Sequence, residues 1–239
     1  AILACPALTT SATQPAEQKT FSSGRTVRTY YESAPQSIGS GPGAPLLILL
    51  HGSGLNGRAM IDSWIALSRE RGFIAVAPDA LDSRAWRLQD DGPAVFRDLL
   101  QRVMSEHRVD GRRIYLFGHS GGAVYVLTLG LLESELFAAI AVHAGGWRRT
   151  QEYRVLQYAS RKIPVAVFVG DRDRYFPVRD VRRTHAALQE EGHTAMITIL
   201  PRHNHDYSRV ATEVNVAAWE FLHGYELPSI PRFHDYESK

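Results

Sequence analysis

Apolar residues in this chain fall into short unbroken runs instead of alternating with polar ones. Leu46–Leu50 (LLILL), Gly72–Pro78 (GFIAVAP), Ile114–Phe117 (IYLF), Leu136–Val142, Ile163–Val169 and Ala195–Leu200 are each strand-sized. A continuous apolar run of this length bounded by Gly, Pro or charge reads as a strand buried on both faces. Helical patterns separate the runs. Arg58–Arg71 places Met60, Trp64, Ile65 and Leu67 on an apolar face with Gly72 as its stop, and Pro93 opens a helix to about His107 carrying Val95, Phe96, Leu99, Leu100 and Val103. Ala123–Gly130, Val178–Glu191 and Val210–His223 complete the series. Strands buried on both faces and alternating with helices imply an α/β fold, a mostly parallel central sheet with helices on each side.

The same patterning divides the chain. Thr9–Ser23 is rich in Thr, Ser, Gln and Ala without an apolar period, which predicts a flexible leader over residues 1–24. Arg25–Glu32 has the composition of an edge strand, and Ser33–Pro45 is dense in Ser, Gly and Pro and reads as a loop. One domain is expected over residues 25–227, with a tail over 228–239; no internal repeat or second domain is visible.

Candidate chemistry gathers after the strands. Gly118-His119-Ser120-Gly121-Gly122 stands between the Ile114–Phe117 strand and the following helix, the context in which a G-x-S-x-G turn exposes a serine oxygen. The outer glycines would let neighbouring backbone pass where a Cβ would clash. A phosphate cradle is disfavoured, because no Lys-Ser/Thr pair follows the glycines and no G-x-G-x-x-G is present. Ligands of open parallel sheets bind beyond the carboxyl ends of the strands, and His51–Gly54, Asp79, Ser120, His143, Asp171/Asp173 and His203/His205 all follow strands. A serine hydroxyl needs a base, and the base needs an orienting carboxylate. Two acids and two histidines compete for these roles, in the order Ser, Asp, His.

With these residues in place, the chain resembles the α/β-hydrolases, in particular the small secreted esterases that include polyhydroxybutyrate-depolymerase-like and feruloyl-esterase-like proteins. The resemblance runs from about Leu46 to His223 and is carried by LLILLHGSG, GFIAVAPD, Trp86 with Asp90-Asp91 and Phe96, IYLFGHSGGA, VGDRDRYFP and RHNHDY. His119 and Gly121-Gly122 at the turn, and the shortage of cysteine, depart from the pattern of many members. The resemblance implies an ester hydrolase with Ser120 as nucleophile. It selects Asp173, three residues after the strand-terminal glycine, over Asp171 as a turn residue, and His205, which precedes Asp206-Tyr207, over His203. Gly121 and Ser53 would supply oxyanion-hole amides. Trp86, Trp147, Tyr175 and Phe176 would line a substrate pocket at the same rim or pack in the core. His119 and His143 are expected to pack or to support the turn. The alternatives on the same residues are a peptidase, a thioesterase or a noncatalytic binding protein.

Composition narrows the partners. A net charge of +2, with 24 of 27 basic residues being scattered Arg, does not suggest a nucleic-acid ligand. No apolar run approaches the roughly 20 residues that span a bilayer. The single cysteine, Cys5, excludes an internal disulfide and a thiolate metal cluster, and the expected site needs no cofactor or metal. Ile2-Leu3-Ala4-Cys5 looks like the end of a bacterial lipoprotein signal; this predicts a secreted or periplasmic protein acting on a small or polymeric ester, with possible membrane attachment through a lipidated Cys5.

Overall fold

The computed structural model describes residues 14–39 and 41–231; Cys5 and the last eight residues lie outside them. The chain begins with β1 (Glu17–Ser23), β2 (Thr26–Ser33) and β3 (Ala44–Leu50), then two short helices, α1 (Gly57–Ile61) and α2 (Ile65–Arg71), and β4 (Ile74–Pro78). A four-residue helix, α3 (Leu88–Asp91), leads into α4 (Pro93–Glu106), followed by β5 (Val109–His119), α5 (Gly121–Leu132) and β6 (Ala139–His143). β7 (Val165–Gly170), α6 (Val178–Glu190), β8 (Ala195–Leu200) and α7 (Ala211–Leu222) finish it.

The eight strands form one sheet in the order β1-β2-β4-β3-β5-β6-β7-β8. β1–β2 and β2–β4 are antiparallel, and every pairing from β4 to β8 is parallel. Burial on both faces follows from the period of two along a strand. Leu46, Ile48 and Leu50 of β3, with Ile114 and Leu116 of β5, join one core layer under α4, α5 and α6. Leu47, Leu49, Tyr115 and Phe117 point the other way into a second layer under α1, α2 and α7. This is the α/β-hydrolase fold. After β4 the chain crosses back over β3 to lay down β5, so its direction of winding reverses between these two strands; a crevice opens at such a switch point, at the carboxyl ends of the strands.

Three expectations are corrected. The flexible leader does not extend through residues 17–23, because Glu17–Ser23 is a strand paired with Thr26–Glu32, and the domain therefore begins before residue 25. A polar strand gives no periodic signal; its stability comes from the ladder, from buried Phe21, and from Lys19 Nζ, which donates to Glu32 at 2.6 Å and to Glu106 at 2.9 Å. Gly24, at φ 56°, takes the first place of a two-residue hairpin loop that favours glycine there. Consequently β2 is not an edge strand but lies between β1 and β4. The single helix over Arg58–Arg71 is broken between Ile61 and Ile65. In an unbroken helix the Ser63 carbonyl would accept from residue 67; here it accepts from Asn215 Nδ2 at 2.8 Å.

Candidate active site

The turn after β5 is built for close approach. Ser120 has φ 54° and ψ −117°, a strained conformation for a residue with a side chain, and its amide donates to His143 O at 3.0 Å. A Cβ on Gly118 would run into the Gly122 carbonyl, and one on Gly122 into the Leu50 carbonyl, so both outer glycines are required sterically. α5 begins at Gly121 and directs its amino-terminal dipole at the serine.

His205 joins the serine to a carboxylate. Its Nε2 lies 2.8 Å from Ser120 Oγ and its Nδ1 lies 2.8 Å from Asp173 Oδ2. Asp173 is buried, and its other oxygen accepts the amides of Tyr175 at 2.8 Å and Phe176 at 2.9 Å. Burial by itself would raise the Asp173 pKa; the His205 bond and the two amides outweigh it and hold the carboxyl below its ordinary range. Asp171, by contrast, is exposed and accepts the His203 amide at 3.1 Å, a loop-bracing role. His203 turns inward, with its ring 5.8 Å from that of His143. Ser120, Asp173 and His205 are therefore brought together, and the competing Asp171 and His203 are not.

Facing the serine is the loop after β3. A Cβ on Gly121 would overlap Ser53 Oγ and lie 3.4 Å from Ser53 N, so residues 53 and 121 approach each other closely beside the serine. Neither amide has an acceptor among the described residues. His51 sets this loop: its Nε2 accepts the Ala80 amide at 3.1 Å, so its Nδ1 carries the proton and donates to Gly52 O at 2.9 Å. Burial keeps the ring neutral by lowering its pKa. Trp86 belongs to this support, since Nε1 donates to His51 O at 2.9 Å and its ring stacks with Tyr125 at 5.6 Å.

The expected pocket aromatics divide. Tyr175 is 66% exposed with its ring 4.8 Å from that of His205, and Phe176 stacks on His205 at 5.9 Å. Trp147 is a correction, because it is fully buried and packs edge-on against Tyr153, so it cannot face an open rim. Two cavities, of about 490 and 610 Å³, contain none of Ser120, Asp173 and His205; they lie around Leu227 and Gly43, at the opposite ends of the strands.

Behind Ser120 and His205 stand further rings that sequence reasoning placed only loosely. His119 lies 5.1 Å from the rings of His205, His143 and Tyr207, nearly parallel to Tyr207. The Nδ1 atoms of His119 and His143 are 3.0 Å apart, so one donates to the other. His143 Nε2 is buried without a partner. A bare nitrogen there costs less than an unpaired N–H, so His143 is the donor through Nδ1. Burial, then neighbouring imidazoles, lower both pKa values, His119 to about 4 and His143 to about 2. Tyr207 ties the His205 loop to the far layer. Its hydroxyl donates to Asn215 Oδ1 and accepts from Trp64 Nε1 at 2.9 Å. Nothing in the sequence marks Asn215, a buried amide on an otherwise apolar helix face. Among the described residues, Glu32, Glu106 and His107 could offer ligand atoms to a metal, but the Lys19 ammonium already lies between the two carboxylates.

Residues 39–174, more than half of the chain, match the family Esterase PHB depolymerase. The chain belongs to that family. Among solved structures it is similar to an acylaminoacyl peptidase of Pyrococcus horikoshii, at 17% identity with a TM-score of 0.74, covering 95% of this chain and 44% of that one. A thermostable esterase gives 23% identity and a TM-score of 0.67 over 88% of this chain and 63% of that one. A ferulic acid esterase gives 15% identity and a TM-score of 0.65, over 87% and 97% respectively. The chain thus spans less than two thirds of the first two proteins, and likeness at these identities speaks for the fold alone. Among curated protein sequences, none matches this chain.

Proposed function

We propose that the protein is a serine esterase that cleaves carboxylic esters through an acyl-enzyme. The observation that carries this reading is the hydrogen-bonded row from Ser120 Oγ through His205 to buried Asp173, with both links at 2.8 Å. In the first half-reaction His205 Nε2 takes the Ser120 proton as Oγ bonds to the ester carbonyl carbon. The negative charge moves to the carbonyl oxygen, where the Ser53 and Gly121 amides and the α5 dipole meet it; such donors are worth about 10²-fold or more each. Asp173 keeps Nδ1 protonated and stabilises the imidazolium. The tetrahedral intermediate collapses as His205 returns the proton to the leaving alkoxide, and the C–O bond breaks. Water, deprotonated by His205, then attacks the acyl-Ser120 and releases the acid.

Short-chain p-nitrophenyl esters should be hydrolysed, and a fluorophosphonate probe should label Ser120. Ser120→Ala should lower kcat by about 10⁴-fold or more with an unchanged circular dichroism spectrum. Undiminished turnover by that variant would reject the mechanism. Including an anilide and a thioester in the assay separates esterase from peptidase and thioesterase action. Export and attachment through Cys5 are proposed on the sequence alone; loss of membrane-fraction protein in Cys5→Ser would support them.

A further inference from the structure

The mouth of the site has two unlike sides. On one side the segments after β3 and β4 adjoin, Gly54 N donating to Ser83 O at 2.8 Å, and they carry exposed Leu55, Leu81 and Leu88. The arginines there are already engaged: Arg84 and Arg87 lie 3.0 and 3.2 Å from Asp82. On the other side the segments after β7 and β8 adjoin, Arg172 N donating to His203 O at 2.8 Å. Arg172 and Arg174 flank Asp173, and Arg202 stands three residues before His205; all three are exposed and have no ion pair among the described residues. Each acid nearby has a partner, although Asp171, bonded only to a neutral amide, keeps its charge beside Arg172. Asp173 holds His205, Asp171 accepts the His203 amide, and Asp206 accepts from Ser208 and pairs with Arg209. Residues 144–209 hold twelve basic and seven acidic side chains, so this stretch carries +5 while the whole chain carries +2.

From this asymmetry we infer that the preferred substrates are amphiphilic anionic esters, with a carboxylate held on the Arg172/Arg174/Arg202 side and an aliphatic portion on the Leu55/Leu81 side. The inference rests on the esterase reading and names its substrate class. Unpaired guanidinium groups beside a reaction centre raise the local concentration of anions and offer a carboxylate bidentate partners. A neutral ester of equal length gains only the apolar contacts.

The test compares monomethyl adipate with methyl hexanoate, following proton release in a pH-stat. At low ionic strength kcat/KM should favour the monoanion by about tenfold or more, and 0.5 M NaCl should shrink the ratio by screening. The triple substitution Arg172→Gln/Arg174→Gln/Arg202→Gln should lower the ratio by about tenfold, mainly through KM of the anion. Equal turnover of both esters by the native protein, or a ratio unmoved by salt and by the triple substitution, overturns the inference. In that case Ser120-dependent cleavage of methyl hexanoate leaves the esterase reading standing. Absence of turnover on both esters also overturns the inference, and the esterase reading is then decided separately by p-nitrophenyl ester turnover and its loss in Ser120→Ala.

Discussion

Two kinds of histidine meet at the carboxyl ends of β5 to β8, and their rings are only 5.1 Å apart. His205 has a buried carboxylate on one nitrogen, a serine hydroxyl on the other, and a side chain 22% exposed. His119 and His143 are buried, and each has the other's imidazole as its hydrogen-bond partner. On the proposed mechanism the same side chain serves as a base in one place, and it is a neutral spacer in the other. What differs is a buried carboxylate within hydrogen-bond reach and access to water; His119 and His143 have neither, and burial there disfavours the imidazolium.

The largest effect should come from taking that charge away. Asp173→Asn leaves the size of the side chain intact, but its amide can donate toward Nδ1 and favour the wrong tautomer of His205. A loss of about 10³- to 10⁴-fold in kcat is expected, with KM little changed. A loss under tenfold would mean that His205 needs no carboxylate, and the contrast with His119 would fail.

Next in size is the cost of keeping the other pair neutral. His119 and His143 both titrate in the folded protein below the ordinary 6.5, at about 4 and about 2. Between those values and 6.5 the unfolded chain therefore binds more protons than the folded one, and stability falls as pH falls. For His119 the loss between pH 6.5 and 4 is on the order of 3 kcal/mol. Urea midpoints measured across that range should decline, and His119→Phe, which keeps a ring against His205 and Tyr207, should flatten the slope by about one proton. An identical slope in that variant would show that His119 is charged in the folded state.

These particular residues also show what could be read in advance. β3 and β5 were plain in the chain because strands covered on both faces need unbroken apolar runs, and Ser120 because its turn leaves glycine as the only fit at 118 and 122. Asp173 and His205 followed from the order of the triad and the family resemblance, whereas distance along the chain alone could not separate them from Asp171 and His203. β1 was invisible because its stability resides in partners, Lys19 with Glu32 and Glu106, that lie 13 and 87 residues away. Trp147 shows the same limit, since an aromatic residue after a strand serves equally well as rim or core and the packing of Tyr153 decides it.

Tyr207 offers a smaller test, because it braces both kinds of histidine at once. Its ring stacks on His119 at 5.1 Å while its hydroxyl joins Trp64 and Asn215. Tyr207→Phe keeps the stack and strands a buried indole N–H and an amide oxygen, which should cost about 1–3 kcal/mol in urea unfolding. Activity measured well below the unfolding midpoint should fall by less than about tenfold, because Asp173 still orients His205.

Smallest of all should be Asp171→Asn. Its carboxylate accepts the His203 amide at 3.1 Å in an exposed loop, and an asparagine oxygen can accept the same bond. Stability should change by no more than about 0.5 kcal/mol and turnover of a neutral ester by no more than about twofold. The substitution also removes one negative charge next to Arg172, so turnover of an anionic ester should rise slightly instead of falling. A fall of tenfold or more on the neutral ester would make Asp171 a working partner of the base, and the distinction between the two carboxylates, on which the difference between the two kinds of histidine depends, would be lost.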